Sequence, residues 1–176
     1  MAAYSVSIAL PGSGGAGAMT AGQILLDAAA KAGYYGLMTR SMGPQIRGGE
    51  AAALLRLSAR PVSSLDDHYD VLVAFDWGNI ARFAAELPLS TDSLVLADPA
   101  QGEVPDPIAV YKARIAELPM KDIAGSVPGG RVNMVGLGAV AALIGLPVDA
   151  VAAVLTAQLG RKGEAVLAAS TAALQA

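Results

Sequence analysis

The 176-residue chain is long enough for one domain with a sizeable core, and its 54% hydrophobic and 15% charged residues argue against disorder. Because so few charges cover an independent globule poorly, we expect part of the surface to be buried against other chains. The net charge of −3 and the lack of basic runs argue against a nucleic-acid partner. The chain has no cysteine, which excludes disulfides, cysteine-ligated iron–sulfur clusters and thiol nucleophiles. Its single histidine, His68, excludes a multi-histidine metal site in this chain.

The beginning of the chain predicts a strand, a glycine-rich turn, a helix and a second strand. Residues Tyr4 to Leu10 are apolar and β-rich, and Pro11-Gly12 ends them. The segment from Met19 to Ala32 is rich in alanine and leucine, and the Gly33 that follows is a typical helix C-cap. Tyr34 to Thr39 is the second predicted strand. This order is that of one βαβ unit.

The middle of the chain alternates between predicted strands and helices. Ala52 to Ser58 has a composition that also suits a helix, but its length favours a strand. Val71 to Phe75 has the continuous apolar character of a buried parallel strand, and Leu94 to Ala97 is a further short strand. Helices are predicted for Asn79 to Glu86 and for Val110 to Glu117.

The last part of the chain, after a break at Gly125 to Gly130, predicts a group of helices. These are Asn133–Ile144, Val148–Leu159 and Glu164–Leu174. The predicted fold class is α/β, with one domain over residues 1–176, a Rossmann-like, mostly parallel sheet, helices on both faces and this C-terminal helical group. Pro147 and Asp149 divide the most apolar stretch into pieces shorter than a membrane span, and the N-terminus does not resemble a signal peptide. We therefore expect no membrane partner and a cytoplasmic location.

The sharpest local signal is the glycine turn between the first strand and the first helix. It is Gly12-Ser13-Gly14-Gly15-Ala16-Gly17, which contains the pattern G-x-G-x-x-G. Glycines permit a close approach to an anion, and a helix N-terminus offers free N–H groups and the positive end of a dipole. Thr20, in the first helical turn, can add a hydroxyl donor. The turn is either a cradle for phosphate or diphosphate or a tight connection without a ligand, and the motif alone does not decide.

The residues after the turn restrict the ligand. An NAD site carries an acidic residue about 20 residues past the glycines, but Leu37 to Arg40 contains no acid and ends in arginine. This argues against NAD and permits a ligand with an extra phosphate on its ribose, such as NADP or coenzyme A. Met19 stands where a P-loop needs a lysine, so the turn is not a P-loop.

A second glycine-rich segment, Ser41 to Glu50, surrounds Arg47. Beside Gly48-Gly49, this arginine can clamp a phosphate or a carboxylate, or it can pair with Glu50 or with another subunit.

For three further clusters, a structural role is more frequent than a functional one. Asp76 and Trp77 follow a predicted strand at the edge where α/β proteins bind ligands, although packing is the more frequent role of a tryptophan. Asn133 with Gly136 and Gly138 indicates either close helix packing or a ligand contact, and packing is the more frequent of the two. The cluster of Asp66, Asp67 and His68 is interpreted as a solvated loop. No catalytic set is present, so the sequence describes a binding domain, with no catalytic and no metal-ligating residues predicted.

Several blocks of sequence follow one another in a characteristic order. They are Gly12–Gly17 with Thr20–Leu25, Gly43–Glu50, Leu55–Ser58 with Pro61-Val62, Tyr69–Asp76, and Asn133–Ala139. In order and spacing they resemble the gamma domain of the 2-oxoacid:ferredoxin (acceptor) oxidoreductases, over nearly the whole chain. The chain departs from this family at Ala16, where glutamine is frequent, and at Gly125 to Gly130, which shorten or replace the helix before the asparagine block.

The resemblance implies a gamma component that cannot complete the reaction by itself. In the complete enzyme, thiamine diphosphate bound by alpha and beta subunits would decarboxylate pyruvate, 2-oxoglutarate or another 2-oxoacid. Iron–sulfur clusters in partner subunits would pass electrons to ferredoxin or a ferredoxin-like subunit, and coenzyme A would take the acyl group. This chain would supply subunit contacts and part of the coenzyme A site, through the glycine turn and either Arg40 or Arg47. A purely structural subunit and an NADP-binding oxidoreductase domain are the alternatives.

Overall fold

A computed structural model describes residues 5–42, 50–78, 80–82 and 84–176. The strands in these ranges are β1 (Ser5–Ser13), β2 (Tyr35–Met42), β3 (Glu50–Ser58), β4 (Tyr69–Val73), β5 (Leu89–Ala97) and β6 (Arg114–Glu117). The α-helices are α1 (Ala18–Lys31), α2 (Asp106–Ala109), α3 (Met120–Ser126), α4 (Val132–Leu143), α5 (Val148–Leu159) and α6 (Glu164–Gln175).

The six strands form one sheet in the order β2-β3-β1-β4-β5-β6. Strands β1, β4, β5 and β6 pair in parallel, whereas β3 is antiparallel to both of its neighbours. The mostly parallel α/β sheet is thereby confirmed. The simple βαβ unit is not confirmed. Helix α1 connects β1 to β2, but these two strands do not pair with each other, because β3 lies between them.

The central position of β3 explains its ambiguous composition. Ala53, Leu55 and Leu57 belong to the hydrophobic core on one face of the sheet, and Ala52 and Leu54 belong to the core on the other. A strand covered on both faces has no polar alternation. The strand predicted for Ala52 to Ser58 is confirmed, and it begins two residues earlier, at Glu50.

Helical elements cover both faces of the sheet, as predicted, but unequally. Helices α1, α3, α4, α5 and α6 share one core with residues such as Ile8 and Val71 of the sheet. The opposite core, around Leu72, is covered by α2 and by two 3₁₀ turns, Ile80–Arg82 and Ala84–Glu86. One helix was predicted from Asn79 to Glu86. The described residues of this segment are helical, but they form two 3₁₀ turns rather than one helix.

The helix predicted for Val110 to Glu117 is wrong. The helical segment of this region is α2, which ends at Ala109, and Lys112 then adopts a left-handed conformation with φ of 54°. The chain continues as β6, which pairs in parallel with β5. Pairing with a neighbouring strand overrides the weak local preference of these four residues.

Helix α3 overlaps the break predicted at Gly125 to Gly130 only at its first two residues, and residues 127–130 lie between helices, as predicted. Its start is held by the buried carboxylate of Asp98, which accepts hydrogen bonds from the backbone N–H groups of Ala100 (2.9 Å) and Lys121 (2.7 Å). The helix ends at Ser126, and a turn leads into α4. The helix before Asn133 is thus the seven-residue α3.

The predicted C-terminal helical group is confirmed by α4, α5 and α6. Helix α5 is tied to α1 through Asp27, whose carboxylate accepts hydrogen bonds from Gln23 (2.8 Å) and Gln158 (2.6 Å). Helix α6 lies against α4 at Gly138, where a Cβ atom would meet the backbone carbonyl of Leu174. Among the described residues, each helix is too short or too polar to cross a membrane.

Candidate functional site

The glycine turn connects the end of β1 directly to α1. Gly15 and Gly17 have φ angles of 96° and 87°, which lie in the left-handed region that favours glycine. Gly17 is the N-cap of α1, and no side chain caps this helix. The N–H groups of the first helical turn have no acceptor within the helix. The turn therefore presents donors and the positive end of the α1 dipole toward its surroundings.

Asp76 holds the beginning of the turn. Its Oδ2 atom accepts hydrogen bonds from the backbone N–H of Ser13 (2.9 Å) and from Ser13 Oγ (2.6 Å), while Oδ1 accepts from the N–H of Gly78 (2.9 Å). This contact is possible because β1 and β4 are parallel neighbours, so that their carboxyl ends lie at the same edge of the sheet. Asp76 thus links the turn to the segment that follows β4.

Asn133 links the turn to the C-terminal helices. Its side chain is buried, and Nδ2 donates a hydrogen bond of 3.2 Å to the carbonyl of Gly17. Asn133 lies in the first turn of α4, which, like α1, has no side-chain cap. The N-termini of two helices therefore meet at one place.

A cavity of about 860 Å³ opens at this point. The glycine turn supplies part of its wall, and the start of α4 supplies another part with Arg131 and Asn133. The segment from α5 to α6 adds Lys162 and Ser170. The cavity is large enough for a cofactor-sized ligand.

The charges at the cavity favour an anion. Two helix N-termini, Arg131 and Lys162 contribute positive potential. Asp76 is the acidic residue in the lining, and its carboxylate already accepts the three hydrogen bonds described above.

The structure brings most of the predicted site residues together. Those that line the cavity are Ser13, Gly14, Gly15, Ala16, Gly17 and Thr20. Gly12 lies behind them, where a Cβ atom would approach within 2.9 Å of the Ala16 Cβ and 3.4 Å of the Phe75 Cβ. Position 16 is one of the two departures from the family pattern, and its small alanine side chain is the one that packs closely against Gly12.

Of the two predicted arginines, the structure describes Arg40, which does not join this group. Arg40 is exposed on the outer strand β2, opposite Ala53, and lies outside the lining of the cavity. Arg47 lies outside the described residues. The cations that do line the cavity, Arg131 and Lys162, were not predicted. Arg131 lies two residues before Asn133, and this proximity to the asparagine block is the sequence signal that could have indicated it.

The remaining candidate clusters have structural roles. Asp66 forms an ion pair of 3.3 Å with Arg56, and His68 Nε2 lies 4.0 Å from Asp70 Oδ1, near the amino end of β4 and so at the opposite end of this strand from the cavity. Trp77 packs against the second core. Gly136 packs closely against Phe75, and Gly138 against α6, so these glycines serve helix packing. No described group of three or more acidic or histidine side chains is placed to hold a metal ion.

These features define an α/β domain that presents an electropositive cavity, suited to nucleotide phosphates, at the carboxyl ends of parallel strands. The sequence profile of the pyruvate ferredoxin/flavodoxin oxidoreductase family matches residues 7–176. The chain belongs to this family, and the predicted resemblance is confirmed.

Solved structures give the same result. The chain is similar to 2-oxoglutarate:ferredoxin oxidoreductase from Magnetococcus marinus, determined with 2-oxoglutarate, coenzyme A and succinyl-CoA bound, with a TM-score of 0.82 and 26% identity over 98% of this chain and 30% of that chain. It is also similar to the gamma subunit of a keto/oxoacid ferredoxin oxidoreductase from Geobacter sulfurreducens PCA, with a TM-score of 0.75 and 25% identity over 97% of this chain and 93% of that chain.

A third structure shares the fold. Pyruvate oxidoreductase subunit PORC from Thermotoga maritima has a TM-score of 0.73 and 24% identity, over 98% of this chain and 94% of that chain. The present chain thus spans less than a third of the Magnetococcus chain but nearly the full length of the two subunits. Among curated proteins there is no significant sequence match.

Proposed function

We propose that the chain is the gamma component of a 2-oxoacid:ferredoxin oxidoreductase and that its glycine turn holds the diphosphate of coenzyme A. One observation carries the second part of this proposal. The segment Ser13 to Gly17 opens without a side-chain cap onto the 860 Å³ cavity, between the starts of α1 and α4. The complete enzyme would convert a 2-oxoacid, coenzyme A and oxidised ferredoxin to acyl-CoA, carbon dioxide and reduced ferredoxin.

In this proposal the chain binds and orients a substrate and performs no bond chemistry. Backbone N–H groups at the start of α1 donate to the diphosphate, and the absence of a side chain at Gly15 lets the oxygens approach the backbone. The Thr20 hydroxyl is a further donor in the lining. Asn133 and Asp76 hold the turn in place through their hydrogen bonds to Gly17 and Ser13. Preorganised donors bind an anion without having to be ordered at that moment.

The cofactors that carry the chemistry would lie in partner subunits. Thiamine diphosphate would belong to alpha and beta subunits, and iron–sulfur clusters to a ferredoxin-like subunit, because this chain has no cysteine to ligate them. The similarity to a protein named as a gamma subunit supports such an assembly.

The test compares two valine substitutions in the reconstituted complex. Gly15 and Gly102 have φ angles of 96° and 84°, and a Cβ atom at either position would meet nothing within 4 Å. Gly15→Val and Gly102→Val therefore introduce similar backbone strain, but only Gly15 lines the cavity. We expect Gly15→Val to raise the KM for coenzyme A by about tenfold or more. Decarboxylation of the 2-oxoacid without coenzyme A should stay unchanged, as should both activities of Gly102→Val.

Assembly and nucleotide binding provide the controls. Size-exclusion chromatography of each variant complex shows whether the subunits remain together. An intact Gly15→Val complex with unchanged coenzyme A dependence would show that the turn holds no ligand and would favour a purely structural subunit. Protection of the chain from proteolysis by NADPH, with no response to coenzyme A, would instead favour the NADP-binding alternative.

A further inference from the structure

We propose that helix α6 is a movable lid on the cavity, and that it swings about a hinge at residues 160–163 to admit and release coenzyme A. The inference rests on the proposed function for the identity of the ligand. It adds a moving part to a site in which the glycine turn and α4 are joined to each other by the hydrogen bond from Asn133 to Gly17.

Two glycines delimit the hinge. Gly160 ends α5 and Gly163 precedes α6, and a Cβ atom at either position would meet nothing within 4 Å. Gly163 has a φ of 105°, which lies in the region that favours glycine. The 3₁₀ turn Gly160–Lys162 connects the two helices, and each of its residues is exposed. A short exposed segment at the ends of two elements can absorb the backbone rotation that a hinge requires.

The attachment of the chain changes at this hinge. Before it, α5 is fixed to α1, because Gln158 donates a 2.6 Å hydrogen bond to Asp27. After it, α6 is held by packing alone. Within the part of the chain that the structure describes, no hydrogen bond or ion pair joins α6 to another helix or strand.

The packing of α6 is also sparse. Two of its twelve residues, Ser170 and Ala173, are buried, whereas α4 has seven buried residues in the same length. A segment with few buried side chains and no polar tether opens at a lower free energy than the domain around it. Helix α6 therefore undocks as a unit while α4 and α5 stay in place.

Undocking of α6 opens the cavity. Val166 and Ser170 of α6, and Lys162 of the hinge, belong to its wall, and the glycine turn and the start of α4 supply other parts. A ligand that contacts both α6 and the rest of the wall binds the docked state better and so shifts α6 toward that state. Bound coenzyme A thus closes the lid over itself, and release of the acyl-CoA product requires α6 to undock again.

Amide hydrogen exchange of the reconstituted complex tests the motion. Without ligand, the amides of α6 should exchange at least about tenfold faster than those of α4. Saturating coenzyme A should slow the amides of α6 by about tenfold or more and leave those of β5 unchanged. Amides of α6 that exchange as slowly as those of α4 without ligand, or that bound coenzyme A does not slow, would overturn the lid.

A reversible tether tests whether the motion controls ligand exchange. A Cβ atom at Gly129 would lie 3.3 Å from the Cβ of Ala169 in α6, close to the roughly 3.5–4.5 Å of a disulfide, and the chain has no native cysteine. In Gly129→Cys/Ala169→Cys, a disulfide formed before assembly should slow association and dissociation of coenzyme A by about tenfold each in stopped-flow measurements. Reduction should restore both rates. A tethered complex that exchanges coenzyme A as fast as the reduced form would contradict the proposal.

A hinge variant gives the same information without a cross-link. Gly160 has helical backbone angles, φ of −56° and ψ of −32°, so Gly160→Ala introduces no strain and stiffens the hinge. It should slow association and dissociation of coenzyme A by about threefold each and leave the dissociation constant nearly unchanged. Gly125→Ala is the matched control, because Gly125 is helical, has open space around it and lies outside the cavity lining. It should change neither rate, and a Gly160→Ala complex with the rates of this control would show that residue 160 is not part of a hinge.

These outcomes are separate from those of the proposed function. A complex that binds coenzyme A through the glycine turn but fails the exchange and tether tests has a fixed α6, and the diphosphate site stands. If Gly15→Val leaves coenzyme A binding unaffected, the diphosphate site is wrong, and the exchange of α6 without ligand still decides whether this helix undocks.

Discussion

The side-chain amide of Asn133 donates a 3.2 Å hydrogen bond to the backbone carbonyl of Gly17, although the two residues are 116 positions apart in the chain. The amide lies so close that a Cβ atom on residue 17 would overlap it. Position 17 must therefore be glycine for two independent reasons, the φ of 87° and the close contact with the Asn133 side chain. This contact sets the relative position of the α1 and α4 N-termini at the proposed phosphate site.

Alanine at position 17 should destabilise the protein more than alanine at position 33. Gly33 has the same φ of 87°, but a Cβ atom there would meet nothing within 4 Å. Gly33→Ala should lower the free energy of unfolding by roughly 1–2 kcal/mol, the cost of a left-handed alanine. Gly17→Ala should lower it by about 1–3 kcal/mol more, because the added methyl group displaces Asn133. Urea denaturation of both variants measures the difference.

A double-mutant cycle identifies the source of that difference. In the background of Asn133→Ala, the overlap with the amide is gone and only the Cβ of residue 133 stays close, at 3.2 Å, so Gly17→Ala should cost little more than Gly33→Ala. A coupling energy of about 1 kcal/mol or more between positions 17 and 133 is expected. Equal effects of the two glycine substitutions in the wild-type background would contradict the contact.

Two glycines in helices should respond to alanine with opposite signs. Gly138 of α4 lies against the backbone carbonyl of Leu174 in α6, which cannot move away as a side chain can. Gly138→Ala should therefore lower the free energy of unfolding by about 2–3 kcal/mol. Gly125 of α3 has open space around it, and Gly125→Ala should raise stability by roughly 0.5–1 kcal/mol through helix propensity. Thermal unfolding checks both signs, and a neutral Gly138→Ala would show that α4 and α6 are further apart than described.

Removal of the Asp76 carboxylate should loosen the glycine turn. Asp76→Ala leaves the N–H groups of Ser13 and Gly78 without their acceptor, which should lower stability by about 2 kcal/mol. Asp67→Ala, at an exposed position, should change stability by less than about 0.5 kcal/mol. Amide hydrogen exchange gives a local readout, since Ser13 and Gly78 should exchange faster in Asp76→Ala alone. Unchanged exchange at these two amides would mean that the carboxylate does not hold the turn.

The stability of the domain should fall at alkaline pH because of Tyr69. Burial of this side chain, and secondarily the nearby Glu86, raises the pKa of its phenol above 10.0. The folded state therefore disfavours the ionised form. This contribution to stability is fully present below the unfolded pKa of 10.0 and is lost as the pH rises above it. Denaturation between pH 9 and pH 11 should show a decline that Tyr69→Phe reduces.

Variants at other positions test whether ionisation of Tyr69 causes the alkaline loss of stability. Glu86→Gln should reduce the shift in the pKa of Tyr69 but not abolish it, because burial is the larger cause. Tyr35→Phe, at a side chain that is 51% exposed, should leave the alkaline loss of stability in place. A Tyr69→Phe protein that loses stability as steeply as the wild type would show that another group titrates.

The sequence could predict the glycine turn because every requirement for it is local. A strand, the glycines and a helix N-terminus follow one another within residues 5–31, and no distant residue is needed to recognise them. The prediction for Val110 to Glu117 failed for the opposite reason, since β6 is a strand only because β5 lies beside it. The position of β3 between β1 and β2 could not be predicted either, because local patterns do not specify which strands are neighbours.

The second half of the candidate site was beyond sequence reasoning. Arg131, Lys162 and Ser170 reach the cavity only because α4 and α6 pack on the same face of the sheet as α1. Neither Lys162 nor Ser170 belongs to a recognisable motif. An exposed lysine near a helix end and a serine within a helix are ordinary features, and their position at the cavity becomes visible only when the helices are placed in space.

Because Ser170 and Val166 of α6 form part of the cavity wall, the cavity is complete only once α6 has docked. A nascent chain that has emerged only to Gly160 already contains the glycine turn but has no α6 to close the other side. Coenzyme A bound in the complete cavity, as proposed, would therefore favour chains in which α6 has docked, and a concentration 100 times the dissociation constant would stabilise them by about 2.7 kcal/mol.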